Sequence, residues 1–502
     1  MRLQSLLSVL LLYLLFVSCD TLTGDLNENL PPRTFLAVED INLPEDQRLS
    51  SQVRIRWWGD DPDGYVAGYE YCIGALEDCG WENAGQTTDT TFVLPIPEGD
   101  ADADVRFSVR AFDNLGLRDP EPATVVFPIK NTPPTIEFNR LETPPDTTYH
   151  FFSFGWNADD LDGFENLNYI EVALNDTSDW VRLPVDIDFV SVRISNPEME
   201  IADGEMFFGR ALNTSGLSLP NIRMNDDNML YIKAVDNSLA QSNVDTTSWY
   251  VKRQLSNILF LMDHDAGNPR FEQFIDILAE MGYSNIDFID ISDGTVPSGQ
   301  KVPLSNALPQ IVEPTLQQML ADWDHIIWYT NNFDRNLTYA IDATSVFLAN
   351  GGSIFVNSPT RSNSPDDPAI QFLPMVDVQR PIAGVSSYRL PSGPNLIKTD
   401  ENFPFNDLSV RSLQVNQFPL VVSPDILVLL EGNYTDQSNN DVEGISRAIA
   451  TINDERNIGF LGLTFDAVLG YRQVNSDDEI AGRENIIEFL RYVLNDELGF
   501  EQ

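Results

Sequence analysis

Hydrophobic and polar residues alternate along the first half of the chain with the period of two that β-strands show. The clearest run is VRIRWW at residues 53–58, followed by the turn sequence DDPDG at 60–64 and a second strand at 66–73. Short strands bounded by Gly, Asp and Pro turns are typical of β-sandwiches. The pattern therefore predicts a sandwich in this part of the chain.

The same landmarks recur further along. Residues 152–156 end in Trp and precede the turn sequence DDLDG at 159–163. Later strands end in Asp113-Asn114 and in Asp236-Asn237, in the same order relative to the turns. Shared landmarks in one order indicate a tandem duplication. The sequence NTPP at 131–134 marks the seam, because paired prolines cannot continue a central strand.

A strand that ends in Trp, a D-x-D-G turn and an aromatic strand resemble bacterial fibronectin type III or immunoglobulin-like modules. The resemblance covers residues 34–253 and implies two modules, at 34–131 and 132–253. Such modules serve many functions, so the resemblance implies a fold and not an activity.

From about residue 256 the pattern changes to alternating strands and helices. The apolar run at 257–262 predicts a strand buried on both faces. A helix with an apolar stripe follows it. Further strands are predicted at 286–289, 325–329, 354–356 and 458–463, with helices at 337–350 and near the C-terminus. This order predicts an α/β open sheet of the flavodoxin-like kind over residues 254–502.

Ligands of such sheets bind beyond the carboxyl ends of the strands. Three loops lie there: Asp263-His264-Asp265, residues 357–360 and residues 464–466. Asp263 and Asp265 resemble the acidic pair of a response-regulator receiver, but residues 328–331 lack the acceptor Asp. The simpler interpretation is that both carboxylates satisfy free N–H groups at a helix N-terminus.

The segments at 351–358 and 459–463 resemble the class I glutamine amidotransferase-like fold, over residues 256–502. Active members carry a Cys after the Gly-Gly strand, where this chain has Ser358, and a His and a Glu after the late strand, where it has Thr464 and Asp466. The resemblance implies a domain without catalysis. The alternative is a cell-envelope hydrolase with Ser358 as nucleophile and His264, oriented by Asp263 or Asp265, as base.

The formal net charge is −47, from 77 acidic and 30 basic residues. This excludes nucleic acid as a partner, because binding to it depends on basic residues. A lysine-poor, acidic surface resembles proteins of salt-loving bacteria, in which salt screens self-repulsion. The alternative is cation binding. No cofactor is predicted except Ca²⁺, for which the two D-x-D-G loops offer carboxylates, although Asp-Gly sequences also form plain turns. The candidate ligands are Asp60, Asp61, Asp63, Asp159, Asp160 and Asp162.

The N-terminus carries Arg2 and an apolar run that ends in FVSC at 16–19. Residues 1–18 are predicted to be a signal peptide. The end of this run resembles a bacterial lipobox, which implies a lipidated Cys19, a tether at 19–33 and a place in the cell envelope, at the outer membrane or cell surface. The alternatives are an ordinary signal peptide and an uncleaved anchor. With Cys19 assigned to lipid, Cys72 and Cys79 are predicted to form a disulfide in this oxidising compartment.

Together these features predict a non-enzymatic binding, assembly or adhesion component. The sandwich modules are expected to act as spacers and the α/β domain as a platform for a protein or glycan partner, with the lipid holding the chain at the membrane. Strand aromatics such as Trp57, Trp58, Trp156 and Trp180 could line a sugar-binding face, although most such residues are core. The hydrolase described above and Ca²⁺-stiffened adhesion remain the alternatives.

Overall fold

The computed structural model describes residues 28–38, 48–97, 99–264, 271–292, 304, 307–334, 336–472 and 475–501. The chain divides into two compact units. Unit 1 comprises Met1–Pro133, Asp160–Leu167 and Asp236–Ala240, and unit 2 comprises Pro134–Asp159, Asn168–Val235 and Gln241–Gln502. Cys19, the predicted signal peptide at 1–18 and Asp265 lie outside the described residues.

The first sandwich lies in unit 1. Its strands are β1 (Arg33–Val38), β2 (Leu49–Ser50), β3 (Gln52–Asp60), β4 (Val66–Ile73), β5 (Glu82–Gly85), β6 (Asp89–Val93), β7 (Asp102–Asp113) and β8 (Ala123–Lys130). One sheet has the order β1-β3-β6 and the other β2-β8-β7-β4-β5. Burial along β3 alternates as its sequence does, and Trp57 packs between the sheets against Tyr69 and Phe107, with ring centroids 6.4 and 6.2 Å away.

The second sandwich also consists of two sheets, here of five strands each. Its strands are β9 (Thr135–Phe138), β10 (Thr147–Thr148), β11 (Phe151–Asp159), β12 (Leu167–Leu174), β13 (Val181–Leu183), β14 (Phe189–Ile194), β15 (Ile201–Phe208), β16 (Asn213–Arg223), β17 (Asp226–Asp236) and β18 (Asp245–Val251). The sheets have the orders β10-β18-β17-β12-β13 and β16-β15-β14-β11-β9. Phe152 of β11 packs across the core on Trp249 of β18, with centroids 4.9 Å apart. The predicted β-sandwiches are confirmed.

The C-terminal region of unit 2 is built on a mixed sheet. Its strands are β19 (Ile258–Asp263), β20 (Asp287–Asp290), β21 (His325–Thr330), β22 (Ser353–Asn357), β23 (Asp377–Val378), β24 (Tyr388–Leu390), β25 (Gly393–Lys398), β26 (Leu408–Val410), β27 (Gln414–Gln417), β28 (Leu420–Val421), β29 (Leu427–Gly432), β30 (Ala448–Ile452) and β31 (Ile458–Leu461). The mixed sheet has the main order β20-β19-β21-β22-β31-β30-β29-β25-β26, with β23 and β28 off this path, whereas β24 and β27 form a separate two-stranded sheet.

The first part of this sheet, from β20 to β31, is parallel, as the sequence pattern predicts. From β31 onward the neighbours β30, β29, β25 and β26 are antiparallel, and the sequence analysis assigned no strands there. Alternate residues of β19 enter two separate cores, with Phe260 in one and Leu261 in the other. The flavodoxin-like assignment stays a prediction.

Short helices flank the sheet. The α-helices are α1 (Phe271–Glu280), α2 (Gln317–Leu320), α3 (Ala340–Ala343), α4 (Ser345–Ala349), α5 (Pro368–Phe372) and α6 (Asp477–Arg491). Single turns of 3₁₀ or π-helix lie at Leu76–Asp78, Phe164–Asn166, Val312–Leu316, Leu337–Tyr339, Phe465–Ala467 and Tyr492–Glu497. The single helix predicted at 337–350 is instead broken at Thr344, whose hydroxyl donates to the Ala340 carbonyl at 2.7 Å. Such back-bonding bends helices.

The second sandwich and the C-terminal sheet belong to one compact unit. Arg193 of β14 forms an ion pair with Asp322 at 2.6 Å, and the Thr315 hydroxyl donates to the Ser153 hydroxyl at 2.7 Å. The proposed domain boundary between residues 253 and 254 therefore stays a prediction, and these contacts join the two sides of it.

Candidate functional site

The carboxyl edge of the parallel strands holds the residues predicted for catalysis. Asp263, the last residue of β19, is fully buried. Its Oδ1 accepts a hydrogen bond from Asn336 Nδ2 at 2.8 Å, and its backbone carbonyl accepts one from the Thr330 hydroxyl at 2.9 Å. These contacts tie the carboxylate to the loops that follow the neighbouring strand.

His264 lies inside the same edge. Its side chain is 5% exposed, and its ring stacks on Tyr329 with centroids 5.6 Å apart and planes inclined by 18°. The stacking partner belongs to β21, the strand next to β19. The imidazole is therefore part of the packed interior of the edge.

Ser358 follows β22, at the position of the nucleophile in the hydrolase hypothesis. It is fully buried, and its hydroxyl donates to the Pro359 carbonyl at 3.2 Å. Activation of a serine requires that its proton pass to a nitrogen base. Here the described hydrogen bond points to a backbone oxygen. Next to it, Asn357 Nδ2 donates to the Leu463 carbonyl at 2.7 Å, which fixes the loop to the late strand segment.

The late loop carries an ion pair in place of a catalytic His and Glu. The Asp466 carboxylate accepts two hydrogen bonds from the Arg472 guanidinium, at 2.7 and 2.9 Å. Hydrogen bonding to Asp466 raises the pKa of Arg472 above its ordinary value. A carboxylate held in this bidentate manner is positioned as a structural partner of the arginine.

Aromatic rings fill the space beside these loops. Phe274 packs against Tyr329 and Phe465, with centroids 5.6 and 5.0 Å away. Phe465 stacks on Tyr471 at 5.8 Å, and the Tyr471 hydroxyl donates to the Tyr329 hydroxyl at 3.3 Å. Burial raises the pKa of Tyr471 well above its ordinary value. The described part of this edge is therefore packed with apolar rings.

The two D-x-D-G loops, which were predicted as Ca²⁺ sites, bind the chain segments that precede the two sandwiches. In the first, the Asp63 carboxylate accepts the Leu30 backbone N–H at 3.1 Å. The Asp113 carboxylate, at the end of β7, accepts the Asn29 side-chain amide at 2.5 Å. We call this arrangement the first linker clamp. It binds the segment that leads into β1.

The second linker clamp repeats these contacts on the segment between the repeats. Asp162 accepts the Thr132 backbone N–H at 2.6 Å, and Asp236 accepts the Asn131 side-chain amide at 2.6 Å. Asp162 also accepts the buried Ser51 hydroxyl. All five residues belong to unit 1.

The geometry inside the two D-x-D-G loops is also equivalent. Asp61 Oδ1 accepts the Asp63 N–H at 3.4 Å, and Asp160 Oδ1 accepts the Asp162 N–H at 2.8 Å. This is the Asx-turn geometry that Asp adopts without a metal. Among the residues that the structure describes, no group of three or more His, Cys, Asp or Glu residues is placed to hold a metal ion. The Ca²⁺ hypothesis for Asp60, Asp159 and their neighbours stays a prediction.

Protonation of Asp113 is coupled to the first clamp. Burial raises the pKa of this carboxyl, but hydrogen bonds from Asn29 and from the N–H groups of Leu115, Leu117 and Gly116 outweigh burial, and the pKa is lowered overall. A lowered pKa means that the carboxylate form is favoured in the folded state. The stabilisation is therefore present at neutral pH and is lost as the pH falls through this pKa.

The asparagines of the clamps were missed by the sequence analysis. A signal was present, because the sequence Asn-x-Pro-Pro occurs at 29–32 as well as at 131–134. The first copy lies in the predicted tether and the second at the predicted seam. The partners of these asparagines lie 84 and 105 positions away, which local sequence patterns do not show.

The remaining predicted residues are placed as follows. Cys72 and Cys79 are joined in a disulfide, with Cα atoms 6.0 Å apart. Trp57 and Trp156 are core residues, whereas Trp58 is 50% exposed. Within the described part of the chain, no helix has the length and apolar character needed to cross a membrane.

No protein-family model and no curated protein matches this chain. Similar solved structures include the fibronectin(III)-like modules of CbhA from Clostridium thermocellum, with 13% identity over 44% of this chain and 95% of that chain and a TM-score of 0.17. A two-domain fibronectin type III segment of chicken tenascin has 12% identity over 44% and 99%, with a TM-score of 0.21. The FN1–FN3 domains of chicken CNTN1 have 12% identity over 45% and 99%, with a TM-score of 0.16. These similarities concern the fold alone and carry no activity to this chain.

Proposed function

We propose that this chain is a lipid-anchored protein of the bacterial cell envelope that works without catalysis. In this proposal the fibronectin type III-like sandwiches act as spacers. The C-terminal region, with a flavodoxin-like fold resembling the class I glutamine amidotransferases, acts as a platform for a protein or glycan partner. Cys19 carries the lipid.

The observation that carries the non-enzymatic part is the state of the carboxyl edge. Ser358 is fully buried with its hydroxyl directed at a backbone carbonyl, and rings including Phe465 and Tyr471 occupy the neighbouring space. A substrate carbonyl needs room beside the nucleophile and its base. The described edge supports packing rather than substrate entry.

The spacer role is supported by the linker clamps. Proline-rich linkers are already stiff because the ring fixes one backbone angle. Here two residues before each Pro-Pro pair are also bound by carboxylates. The asparagine donates its side-chain amide and the next residue donates its backbone N–H. A linker held in this way is fixed to the loops that bind it and does not act as a free hinge.

The hydrolase alternative is tested with an active-site probe. We expect that a fluorophosphonate probe does not label the purified full-length protein, because the Ser358 hydroxyl lacks solvent access. A known serine hydrolase, treated with the same probe under the same conditions, provides the positive control. Labelling of the wild type that disappears in Ser358→Ala would overturn the non-enzymatic proposal.

The anchor is tested in an expressing bacterium by detergent-phase partitioning and intact mass. Cys19→Ser is expected to leave the detergent phase and to lack the acyl mass. Ser18→Ala is the matched control, since it keeps a small residue before Cys19 and is expected to remain lipidated. An unmodified wild-type Cys19, or equal partitioning of wild type and Cys19→Ser, would contradict the anchor.

A further inference from the structure

The outer surface of the β1-β3-β6 sheet carries an arginine–aromatic face, which we define as Arg33, Phe35, Arg54, Arg56 and Trp58. On β3 these side chains alternate with the buried ones, and β1 places Phe35 directly opposite Trp58. All five are exposed. The face lies wholly within unit 1.

Two large rings lie side by side on this face. Phe35 is 42% and Trp58 is 50% exposed, and their rings stack with centroids 5.5 Å apart and planes inclined by 17°. Two exposed rings in contact form one contiguous apolar surface, and contiguous patches of this kind mark binding sites more often than isolated exposed residues do. The C–H face of a pyranose ring has the complementary flat, weakly apolar shape.

Hydrogen-bonding groups flank the rings. The Arg54 guanidinium donates to both carboxylate oxygens of Asp89, at 2.9 and 2.6 Å, and Arg56 Nε donates to the same carboxylate at 3.3 Å. Such a network presents fixed donors and acceptors at a half-exposed surface. Vicinal sugar hydroxyls, which both donate and accept, match such an arrangement. From Arg54 to Trp58 the strand extends about 13 Å, which provides length for a chain of sugars.

A groove adjoins Phe35. It has a volume of about 550 Å³, and its walls include Arg33, Phe35, Pro62 and Asp119. Phe35 belongs to both the groove and the ring pair, so the apolar surface continues into a concave site. Concavity is the usual property of small-ligand sites.

The charge of the face selects among ligand classes. Together the face and its groove carry three arginines and four carboxylates, those of Asp60, Asp89, Asp119 and Glu121, whereas the whole chain carries 77 acidic and 30 basic residues. A polyanion would be repelled by the net charge of −47. A polycation would bind anywhere on the acidic surface and gain nothing from this face. A neutral, hydroxyl-rich polymer avoids both effects.

We propose that the arginine–aromatic face and its groove bind a neutral polysaccharide by stacking sugar rings on Phe35 and Trp58, with Arg54, Arg56 and Asp89 bound to hydroxyl groups. This surface goes beyond the platform role proposed for the C-terminal region. Sugar binding by this surface does not require lipidation. The partitioning test of the anchor and the test of sugar binding can therefore fail independently of each other.

The test is native affinity electrophoresis of the full-length protein in gels that contain dextran, xylan, mannan or mixed-linkage β-glucan. We expect retardation by at least one of these neutral polymers. Trp58→Ala should weaken that binding at least tenfold, and Arg56→Gln should weaken it severalfold. Trp58→Tyr retains a ring and should bind nearly as well as the wild type, which separates lost stacking from lost folding.

Phe164→Ala and Arg182→Gln are the matched controls, because they remove an exposed ring and an exposed arginine elsewhere in the chain. Both should bind like the wild type. The proposal is overturned if no neutral polymer in the panel retards the protein, or if Trp58→Ala and Phe164→Ala bind equally. It is also overturned if alginate or polyglutamate retards the protein as strongly, since charge recognition would then explain the binding.

Discussion

Asp113 and Asp236 show how one residue type is used twice for the same purpose. Each ends a long strand and accepts an asparagine amide together with backbone N–H from its own turn, two groups at Asp113 and the Ala240 N–H at Asp236. The side chains are 2% and 0% exposed. A buried carboxylate needs several hydrogen-bond donors, and the linker asparagines supply some of them. These two residues therefore hold the linkers against their loops.

At this scale we predict that Asp236→Ala destabilises the protein by about 1–3 kcal/mol, since it leaves the Asn131 amide and the Ala240 N–H without their acceptor. Urea unfolding, followed by intrinsic fluorescence, measures the change. Asp176→Ala is the control: Asp176 also accepts a turn N–H, from Ser178 at 2.9 Å, but it is exposed. Its loss should cost less than about 0.5 kcal/mol. Equal losses in both variants would contradict the clamp.

At the scale of elements, the strength of each periodic signal decided what could be predicted. The alternation in β3 and the apolar run of β19 identified their strands. The antiparallel strands β25 to β30 were missed because they are short and their pairing joins distant residues, as Leu396 with Gly432. The break at Thr344 depends on a side-chain hydrogen bond, which no apolar stripe reveals.

The candidate site was predictable in position but not in content. The predicted strand order places Asp263, His264 and Ser358 after strands of one sheet, and β19, β21 and β22, which precede these residues or pair beside them, are parallel. Their chemistry depends on burial and on aromatic neighbours such as Phe465 and Tyr471. Those contacts arise from the folded loops and have no local sequence signature.

For the turn after β4 we predict a measurable role of the Cys72–Cys79 disulfide, which closes a loop of sequence separation 7. Closing so short a loop stabilises by about 2–3 kcal/mol in the chain-entropy model. The double variant Cys72→Ala/Cys79→Ala should lose this amount in urea unfolding. The wild type with reductant should match the double variant, and reductant should not affect that variant. A stability loss below about 0.5 kcal/mol, roughly the error of such measurements, would contradict the prediction.

At the scale of the whole molecule, the most prominent property is the negative net charge. With a net charge of −47, like charges repel throughout the folded chain. Salt bridges such as Arg193–Asp322 neutralise part of this charge locally, but basic residues are too few to pair with every acid. The composition predicted this property directly, since net charge needs no knowledge of the fold.

We therefore expect salt to stabilise the protein. Raising sodium chloride from about 0.01 M to about 1 M shortens the screening length from roughly 30 Å to roughly 3 Å. The melting temperature should rise by at least roughly 2–4 °C, the shift that corresponds to about 1 kcal/mol. Tetramethylammonium chloride at equal ionic strength should give a similar rise. A flat response would contradict this expectation, and a rise confined to Ca²⁺ addition would favour cation binding instead.

The first linker clamp also sets how far the protein can stand from a membrane. The clamp fixes Asn29 and Leu30 against Asp113 and Asp63. For a chain lipidated at Cys19, only residues 20–28 then separate the lipid from the clamp. Even fully extended, these nine residues reach only about 30 Å. Asn29 and Leu30, at the start of unit 1, would then lie within that distance of the headgroups, and unit 1 would have to meet its ligand while held next to the membrane.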